Sequence, residues 1–206
     1  MNTWLLVAAE RREFDGLIKR LGRCTRLGWA VEFAAESQFR GERWLMIANG
    51  PGREAVEQAL ENRIEVSGMV STGFCGALDP ALRIGDIVEE GLVCADRVAV
   101  TAAEKAGLRK QTGAAAVDME SSAVAKKARD WNVPFRSIRA VSDVAVEDMP
   151  LDFNLYRDGH GRFLRGRIAL AALRKPFSAI PALMRLDRNC RIAAESLGEF
   201  IVNRGL

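Results

Sequence analysis

The sequence predicts an α/β protein in which a central sheet, parallel or mixed, carries helices on both faces. Short apolar segments of strand length alternate along the chain with segments whose apolar residues recur at helical spacing. Turns that contain Gly and Pro separate these segments. A composition of 49% hydrophobic and 28% charged residues in a chain of 206 allows one domain with a sizeable core, or one domain with an appendage.

The individual elements follow from this alternation. WLLVAA (4–9) predicts a buried strand, and ERREFDGLIKRLG predicts a helix that ends at Gly22. Further strands are predicted over 43–49, 68–74, 83–90, 91–100 and 135–143, and further helices over 53–62, 101–113 and 121–132. Ligands of such sheets bind at the C-terminal ends of the strands. The candidate binding turns are those after Ala9, Asn49, Gly73 and Ser142.

The stretch AVDMESSAVA (115–124) carries two acids, Asp118 and Glu120, in a run that is otherwise small and apolar. A buried carboxylate costs free energy unless it is paired or used. This segment is therefore a candidate functional site.

Three segments occur in this order along the chain: STGFCGALDPALRIGDIV, AVDMESSAVA and RAVSDVA. Together they resemble the signatures of the nucleoside phosphorylase/hydrolase superfamily, most closely its methylthioadenosine/S-adenosylhomocysteine nucleosidase branch, over about residues 3–146. The resemblance implies a three-layer domain over 1–150 with a central mixed, twisted sheet flanked by helices. It also implies cleavage of the N-glycosidic bond of a purine nucleoside, with no metal or cofactor and in a homodimer.

The resemblance assigns roles to the acidic segment. Glu120 matches the carboxylate that grips the ribose hydroxyls, a role suited to a bidentate acceptor. Met119 matches the methionine packed on the sugar face, and Asp118 is expected to be structural. The alternative for Glu120 is a helix-start acid that interacts with the helix dipole.

Two further acids resemble the family's catalytic groups. Asp143, after Ser142 at the end of a strand, resembles the aspartate that donates to the purine N7 and would need a desolvated, partly protonated carboxyl. A turn cap is the alternative. Glu13 resembles the glutamate that orients the attacking water, with Glu10 as its competitor and an exposed helix acid as the alternative. An acid on one side of the glycosidic bond and an activated water on the other follow the general logic of glycoside hydrolysis.

The binding surface of the base is less complete. Gly73 leaves backbone amides unshielded at a strand end. Val98 occupies the place of a phenylalanine that stacks on the purine in the nucleosidases, whereas Ala99 would still offer backbone groups to the base edge. The chain also departs from the family at Glu90-Gly91, where two strand patterns join directly and relatives have a further strand, helix and loops. We expect that residues are missing at this join.

A C-terminal segment (151–206) extends beyond the usual nucleosidase. It predicts a basic amphipathic helical element broken by Pro176 and Pro181, packed on the same domain, and the alternative is a core-facing helix pair with solvated arginines. Residues 157–191 contain nine basic residues and two acids, a net charge of +7, which leaves −4 for the rest of a chain whose total is +3. The segment resembles the hopanoid-associated branch of the superfamily. That resemblance implies adenosylhopane as substrate and adenine as product.

The same features lead to expectations about partners and location. A basic, apolar segment indicates peripheral contact with an anionic membrane through 157–191, and nothing indicates nucleic acid. No leader and no span of about 18 apolar residues is visible, so we expect a cytoplasmic protein, at most peripheral at the inner membrane. The single histidine, His160, argues against a histidine-based triad or metal site, and we expect it in a solvated loop.

The attacking species remains open between water and phosphate. Phosphorylases hold phosphate with cationic groups, often an arginine before the Gly-rich turn, and VSTGF has none. Arg53, Arg11 or Arg12 could supply one. Water activated by Glu13 is favoured, and phosphate as co-substrate is the alternative. A non-catalytic nucleoside-binding module is the second hypothesis.

Overall fold

The computed structural model describes residues 1–158 and 162–206, so His160 lies outside the described residues. The strands are β1 (Thr3–Ala8), β2 (Thr25–Arg26), β3 (Phe33–Phe39), β4 (Glu42–Ala48), β5 (Gly68–Ala77), β6 (Ile87–Val88), β7 (Leu92–Cys94), β8 (Ala116–Asp118) and β9 (Phe135–Asp143). The helices are α1 (Asp15–Leu21), α2 (Arg53–Ala59), α3 (Ala102–Thr112), α4 (Ser121–Trp131), α5 (Arg165–Leu173) and α6 (Pro176–Arg204). Two short 3-10 helices cover Arg11–Phe14 and Phe153–Tyr156.

The sheet is mixed, which confirms the predicted fold class. Its main path runs β2-β3-β4-β1-β5-β8-β7, and β9 pairs with β5 and β6. Strands β1, β4, β5 and β9 are parallel neighbours. Strand β8 pairs antiparallel with only the last two residues of β5, Gly76 and Ala77, beyond the residues of β5 that pair with β1. Strand β5 also shifts register against β9 between Cys75 and Gly76, and Gly76 pairs with Asp143 after the shift.

Alternation along the central strands builds two cores, one on each face. In β1, Leu6 faces a core that includes Leu17 of α1 and Leu197 of α6. Leu5 faces the opposite core, with Val56 of α2 and residues of α4. Burial on both faces explains why β1 is apolar throughout rather than alternating. The resulting order is helix, sheet, helix.

Two glycines allow α1 and α6 to pack in close contact. A Cβ on Gly16 would lie 2.1 Å from the backbone oxygen of Ala194, and one on Gly198 would lie 2.2 Å from the backbone of Gly16. The C-terminal half of α6 is thereby part of the main core. The proposed boundary between 1–150 and 151–206 stays a prediction.

Some predicted elements were wrong in extent or missed. Strands β2, β3 and β8 were not predicted, and the strand patterns of 83–90 and 91–100 reduce to β6 and β7. Residues after β7 leave the sheet because their backbone bonds elsewhere: Val98 pairs with the Asn154 side chain, and the Val100 oxygen accepts from the Met149 N–H.

Pro181 does not break the C-terminal helix, contrary to prediction. Pro176 lies in the first turn of α6, where a missing N–H costs nothing. Pro181 lies one turn further on, and the carbonyl that loses its donor belongs to Phe177, which is 96% exposed. Water can satisfy that carbonyl, so the helix continues. At Glu90-Gly91 the chain passes through a turn with Gly91 at φ +69°, and the expectation of missing residues stays a prediction.

Candidate active site

A cleft of about 400 Å³ opens at the C-terminal ends of β1, β5 and β9. Seven of the eight residues predicted for the site line it: Glu13, Val98, Ala99, Met119, Glu120, Ser142 and Asp143. They come from four separate stretches of chain. The eighth, Gly73, lies behind Glu13. Three acids remote in sequence thus share one cleft.

Glu13 is held by the backbone at the end of β1. Its Oε2 accepts from the N–H groups of Ala9 at 2.7 Å and Glu10 at 2.9 Å, and its Oε1 accepts from the N–H of Phe74 at 2.7 Å. Burial, with a smaller contribution from the Glu120 charge, raises the pKa of Glu13 to about 7, although Arg139 and the backbone donors oppose the shift. A carboxylate with this pKa can accept a proton near neutral pH.

Gly73 makes room for this carboxylate. Its φ is +136°, and a Cβ there would lie 2.6 Å from Oε1 of Glu13 and 2.9 Å from the guanidinium of Arg139. Gly73 therefore supports the site from behind the cleft wall, which differs from the predicted direct contact with substrate.

Glu120 is fixed by the turn NGPG and by a buried arginine. Its Oε1 accepts from the N–H of Gly52 at 2.8 Å, and its Oε2 lies 3.6 Å from Arg139. Burial raises the pKa of Glu120, opposed by the Arg139 charge and supported by Asp118. The weakly indicated NGPG turn is therefore connected to the acidic segment.

Arg139 is the centre of a charged cluster formed by Glu13, Asp118, Glu120 and Arg139. Its guanidinium contacts Asp118 at 2.6 Å and donates to the Thr72 oxygen at 2.9 Å and to the Ser71 hydroxyl at 2.6 Å. Asp118 also accepts from the N–H and hydroxyl of Ser121 at the start of α4. Asp118 is thus committed to structural contacts.

Sequence reasoning missed Arg139, although a signal was present. Two acids predicted to be buried require a buried cation. Arg139 lies in the middle of FRSIRAVSD, which was already predicted to be a core strand. A charged residue at such a position indicates a partner of opposite charge.

Asp143 is bound by a second residue that the sequence reasoning missed. The ammonium of Lys105, 1% exposed, lies 2.5 Å from Oδ1 of Asp143, and the hydroxyl of Ser142 donates to Oδ2 at 3.0 Å. In α3, Lys105 occupies the face shared by Ala102 and Leu108, where an apolar residue would be usual. A lysine on the apolar face of a predicted helix was therefore the sequence signal for a buried ion pair.

The segment around Val98 offers one set of free backbone groups to a ligand. Asn154 bonds both backbone groups of Val98, accepting from its N–H at 2.9 Å and donating to its oxygen at 3.0 Å. Within the part of the chain that the structure describes, no hydrogen bond engages the backbone of Ala99. Ala99 is therefore the position in this segment that can meet a base edge.

The stretch from Met149 to Leu186 contributes an apolar wall to the cleft. We use this name for Met149, Phe153, Phe163, Ile168 and Leu186. The rings of Phe153 and Phe163 pack edge to face, with centroids 5.9 Å apart. Aromatic surface absent at Val98 is thus present in the cleft at Phe153 and Phe163.

The three arginines considered for phosphate differ in position. Arg53 pairs with Asp96 at 3.5 Å and Arg11 with Asp15 at 2.6 Å, and neither lines the cleft. Arg12 does line it, and pairs with Asp187 at 3.6 Å. Across 1–158 and 162–206, no group of three or more His, Cys, Asp or Glu side chains is arranged to hold a metal ion. The expectation of no metal or cofactor stays a prediction.

The geometry agrees with comparisons to known proteins. A sequence model of the phosphorylase superfamily matches residues 92–165. The methylthioadenosine/S-adenosylhomocysteine nucleosidase of Thermotoga maritima is 29% identical over 126 residues, which span 60% of this chain and 58% of the relative.

Solved structures extend the likeness to the whole fold. A mutant of this nucleosidase from Helicobacter pylori, with 5′-methylthioadenosine in its active site, aligns with a TM-score of 0.72 at 13% identity over 98% of this chain and 97% of that one. The Neisseria meningitidis nucleosidase aligns with a TM-score of 0.71 at 17% identity, and Helicobacter pylori futalosine hydrolase with 0.70 at 13%, each with the same coverage. The fold is that of these nucleosidases.

Proposed function

We propose that this protein hydrolyses the N-glycosidic bond of a purine nucleoside and releases the free base. The observation that carries the proposal is the convergence of Glu13, Glu120 and Asp143 on one cleft. These groups supply the three functions that the reaction needs: a base for the nucleophile, an anchor for the sugar, and a contact for the leaving group.

Each acid has a distinct task. Glu120, held by Gly52 and Arg139, accepts hydrogen bonds from the ribose hydroxyls, and Met119 packs against the sugar. Glu13 removes a proton from water, for which a pKa of about 7 is suited. Asp143 faces the purine and assists departure of the base.

The charge distribution supports water over phosphate as the nucleophile. The backbone donors near Glu13 are already occupied by its carboxylate, and Arg139 is taken by Asp118 and Glu120. A phosphate dianion beside Glu13 would therefore meet like charge without a free cation of comparable burial. Phosphorolysis through Arg12 is the alternative.

The apolar wall supports a nucleoside with a large apolar 5′ substituent, and adenosylhopane is the candidate. Phe163, Ile168 and Leu186 would cover hydrocarbon that water otherwise surrounds. The Thermotoga maritima relative favours methylthioadenosine or S-adenosylhomocysteine as the second candidate. The homodimer that the resemblance implies stays a prediction for either substrate.

An exposed patch beside the apolar wall supports peripheral contact with an anionic bilayer. Leu170, Leu173, Phe177 and Met184 are 58%, 64%, 96% and 69% exposed on α5 and the outer end of α6. In the described chain, Arg167, Arg174 and Lys175, which lie among them, form no ion pair with an acidic side chain. Apolar side chains with flanking cations fit an anionic interface. None of the described helices is both long and apolar enough to cross a membrane.

Adenine release tests the reaction. The native protein is incubated in phosphate-free buffer with adenosylhopane and, separately, with methylthioadenosine, and free adenine is measured. We expect release from adenosylhopane at the higher kcat/KM, and loss of release in Asp143→Asn. Strict dependence on added phosphate would establish phosphorolysis instead. Binding without release from either substrate would favour the non-catalytic module.

Vesicle sedimentation tests the membrane contact. We expect the native protein to sediment with phosphatidylcholine vesicles that contain phosphatidylglycerol and to stay in solution with phosphatidylcholine alone. Phe177→Ser combined with Leu173→Ser should abolish sedimentation. Leu155→Ser, at a residue also 70% exposed but outside the patch, is the matched control.

A further inference from the structure

The buried ammonium of Lys105 is fully coordinated. It donates to Oδ1 of Asp143 at 2.5 Å, to the backbone oxygen of Val144 at 2.8 Å and to that of Glu147 at 3.2 Å. A buried ammonium is costly and is retained only when it is well paired. Lys105 also lines the cleft, so it lies next to the position expected for the purine.

This arrangement changes the expected state of Asp143. The sequence suggested a carboxyl kept partly protonated by desolvation. The ammonium of Lys105 instead forms an ion pair with the Asp143 carboxylate, with Nζ 2.5 Å from Oδ1. The proton that this pair can pass on is carried by Nζ of Lys105, next to the carboxylate that faces the base.

We propose that Lys105 is a positioning residue that orients Asp143 and supplies, through it, the proton taken up by the leaving purine. The inference rests on the proposed nucleosidase function. As the C–N bond breaks, its electron pair moves to the purine, N7 takes a proton from Asp143, and Asp143 takes one from Lys105. Glu13 meanwhile removes a proton from the attacking water. Exchange with solvent returns Glu13 and Lys105 to their starting states.

Other charged and titratable groups surround the pair and bear on its pH dependence. Ser142 donates to Asp143, and the charge of Asp143 acts on the thiols of Cys75 in β5 and Cys190 in α6. Burial raises the pKa of both thiols, so they stay neutral over the range of the assay. Further charged groups nearby are Asp118 on β8, Arg97 before α3, Glu104 in the first turn of α3, and Glu147 with Arg185. The cleft is also lined by Arg12, Glu13, Glu120 and Arg165.

The test compares the native protein with Lys105→Met and Lys105→Arg, using adenine release between pH 4.5 and pH 9. In Lys105→Met we expect kcat to fall about 10²–10⁴-fold near neutral pH with KM changed by less than about threefold. Residual activity should rise toward acid pH, because Asp143 must then take its proton from solvent. Lys105→Arg keeps a cation but holds its proton too firmly, so kcat should stay low.

The outcomes separate this inference from the proposed function. If the native protein releases no adenine, the function itself fails. If it does and Lys105→Met lowers kcat by one factor at every pH, Lys105 is merely structural and the inference is overturned. If Lys105→Met does not fold by thermal melting, Lys105→Arg decides: a native kcat overturns the inference, and a low kcat with native melting supports it.

Discussion

The charged cluster and the apolar wall both contribute to one cleft and are built in contrasting ways. The cluster gathers Glu13, Asp118, Glu120 and Arg139 from three distant stretches of chain, and all four residues are nearly inaccessible to water. The wall comes from 149–186, and its members Phe163, Ile168 and Leu186 are half-buried. The cluster is coupled through charge, so any change there is felt by every member. The residues of the wall contribute apolar contacts that add independently. A substitution at one of them should therefore leave the contributions of the others unchanged.

The largest expected effect is on the cluster. Arg139→Met removes the only cation paired with Asp118 and Glu120 in the described chain, and should lower the free energy of unfolding by about 3–5 kcal/mol. Urea unfolding measures the change. Arg136→Met, on the same strand but in a partly exposed pair with Glu89, is the matched control and should cost about 1 kcal/mol or less. Equal losses of unfolding free energy in the two variants would show that the charges of the cluster are not coupled.

The next effect links stability to pH through Glu13. Its pKa of about 7 lies above its usual 4.5, so the folded state holds the proton more firmly. The stabilisation is therefore present below pH 4.5 and is lost as the pH rises through 7. Glu13→Gln should remove up to about 3 kcal/mol of the fall in unfolding free energy between pH 5 and pH 8.

Urea unfolding across this range provides the measurement, with adenine release measured in parallel. Glu10→Gln makes the same change in net charge at a neighbouring acid and serves as the control. An unchanged pH slope in Glu13→Gln would contradict the buried, proton-binding role.

The smallest expected effect is on the wall. Ile168→Asn should raise KM for an adenosyl lipid about 10-fold while leaving kcat unchanged, because one apolar contact contributes about 1–3 kcal/mol. KM for methylthioadenosine should not change. Leu170→Asn, on the same helix but outside the cleft lining, is the control, with substrate supplied in detergent. An equal rise in KM for both substrates would show that the wall does not contact the lipid part of the substrate specifically.

The sequence was sufficient for the parallel strands β1, β4, β5 and β9 and for the acids of the cleft. Strand β9 and the end of α3 at Gly113 follow directly from apolar runs and a C-terminal glycine. Glu13, Glu120 and Asp143 were found through ordered motifs. Strand β8 could not be predicted, because three residues provide no periodicity and only two of them pair with β5.

The cations of the site were harder to predict. Arg139 and Lys105 are each isolated basic residues in otherwise ordinary elements, and only tertiary contact with a carboxylate distinguishes them from solvated side chains. Their partners are 21 and 38 residues away in sequence. Motif reasoning identifies acids that touch a ligand, whereas the groups that balance those acids become visible only in three dimensions.

The unbroken course of α6 has a consequence for evolvability. At about 1.5 Å per residue, its 29 residues extend about 43 Å, from a solvent-exposed first turn to an end clamped against α1 at Gly198. One helix thus has a buried C-terminal half packed against α1 and an exposed N-terminal half beside the cleft. Changes in the length or surface of the exposed half would alter which aglycones fit the cleft. The catalytic side chains lie on other elements and would keep their positions.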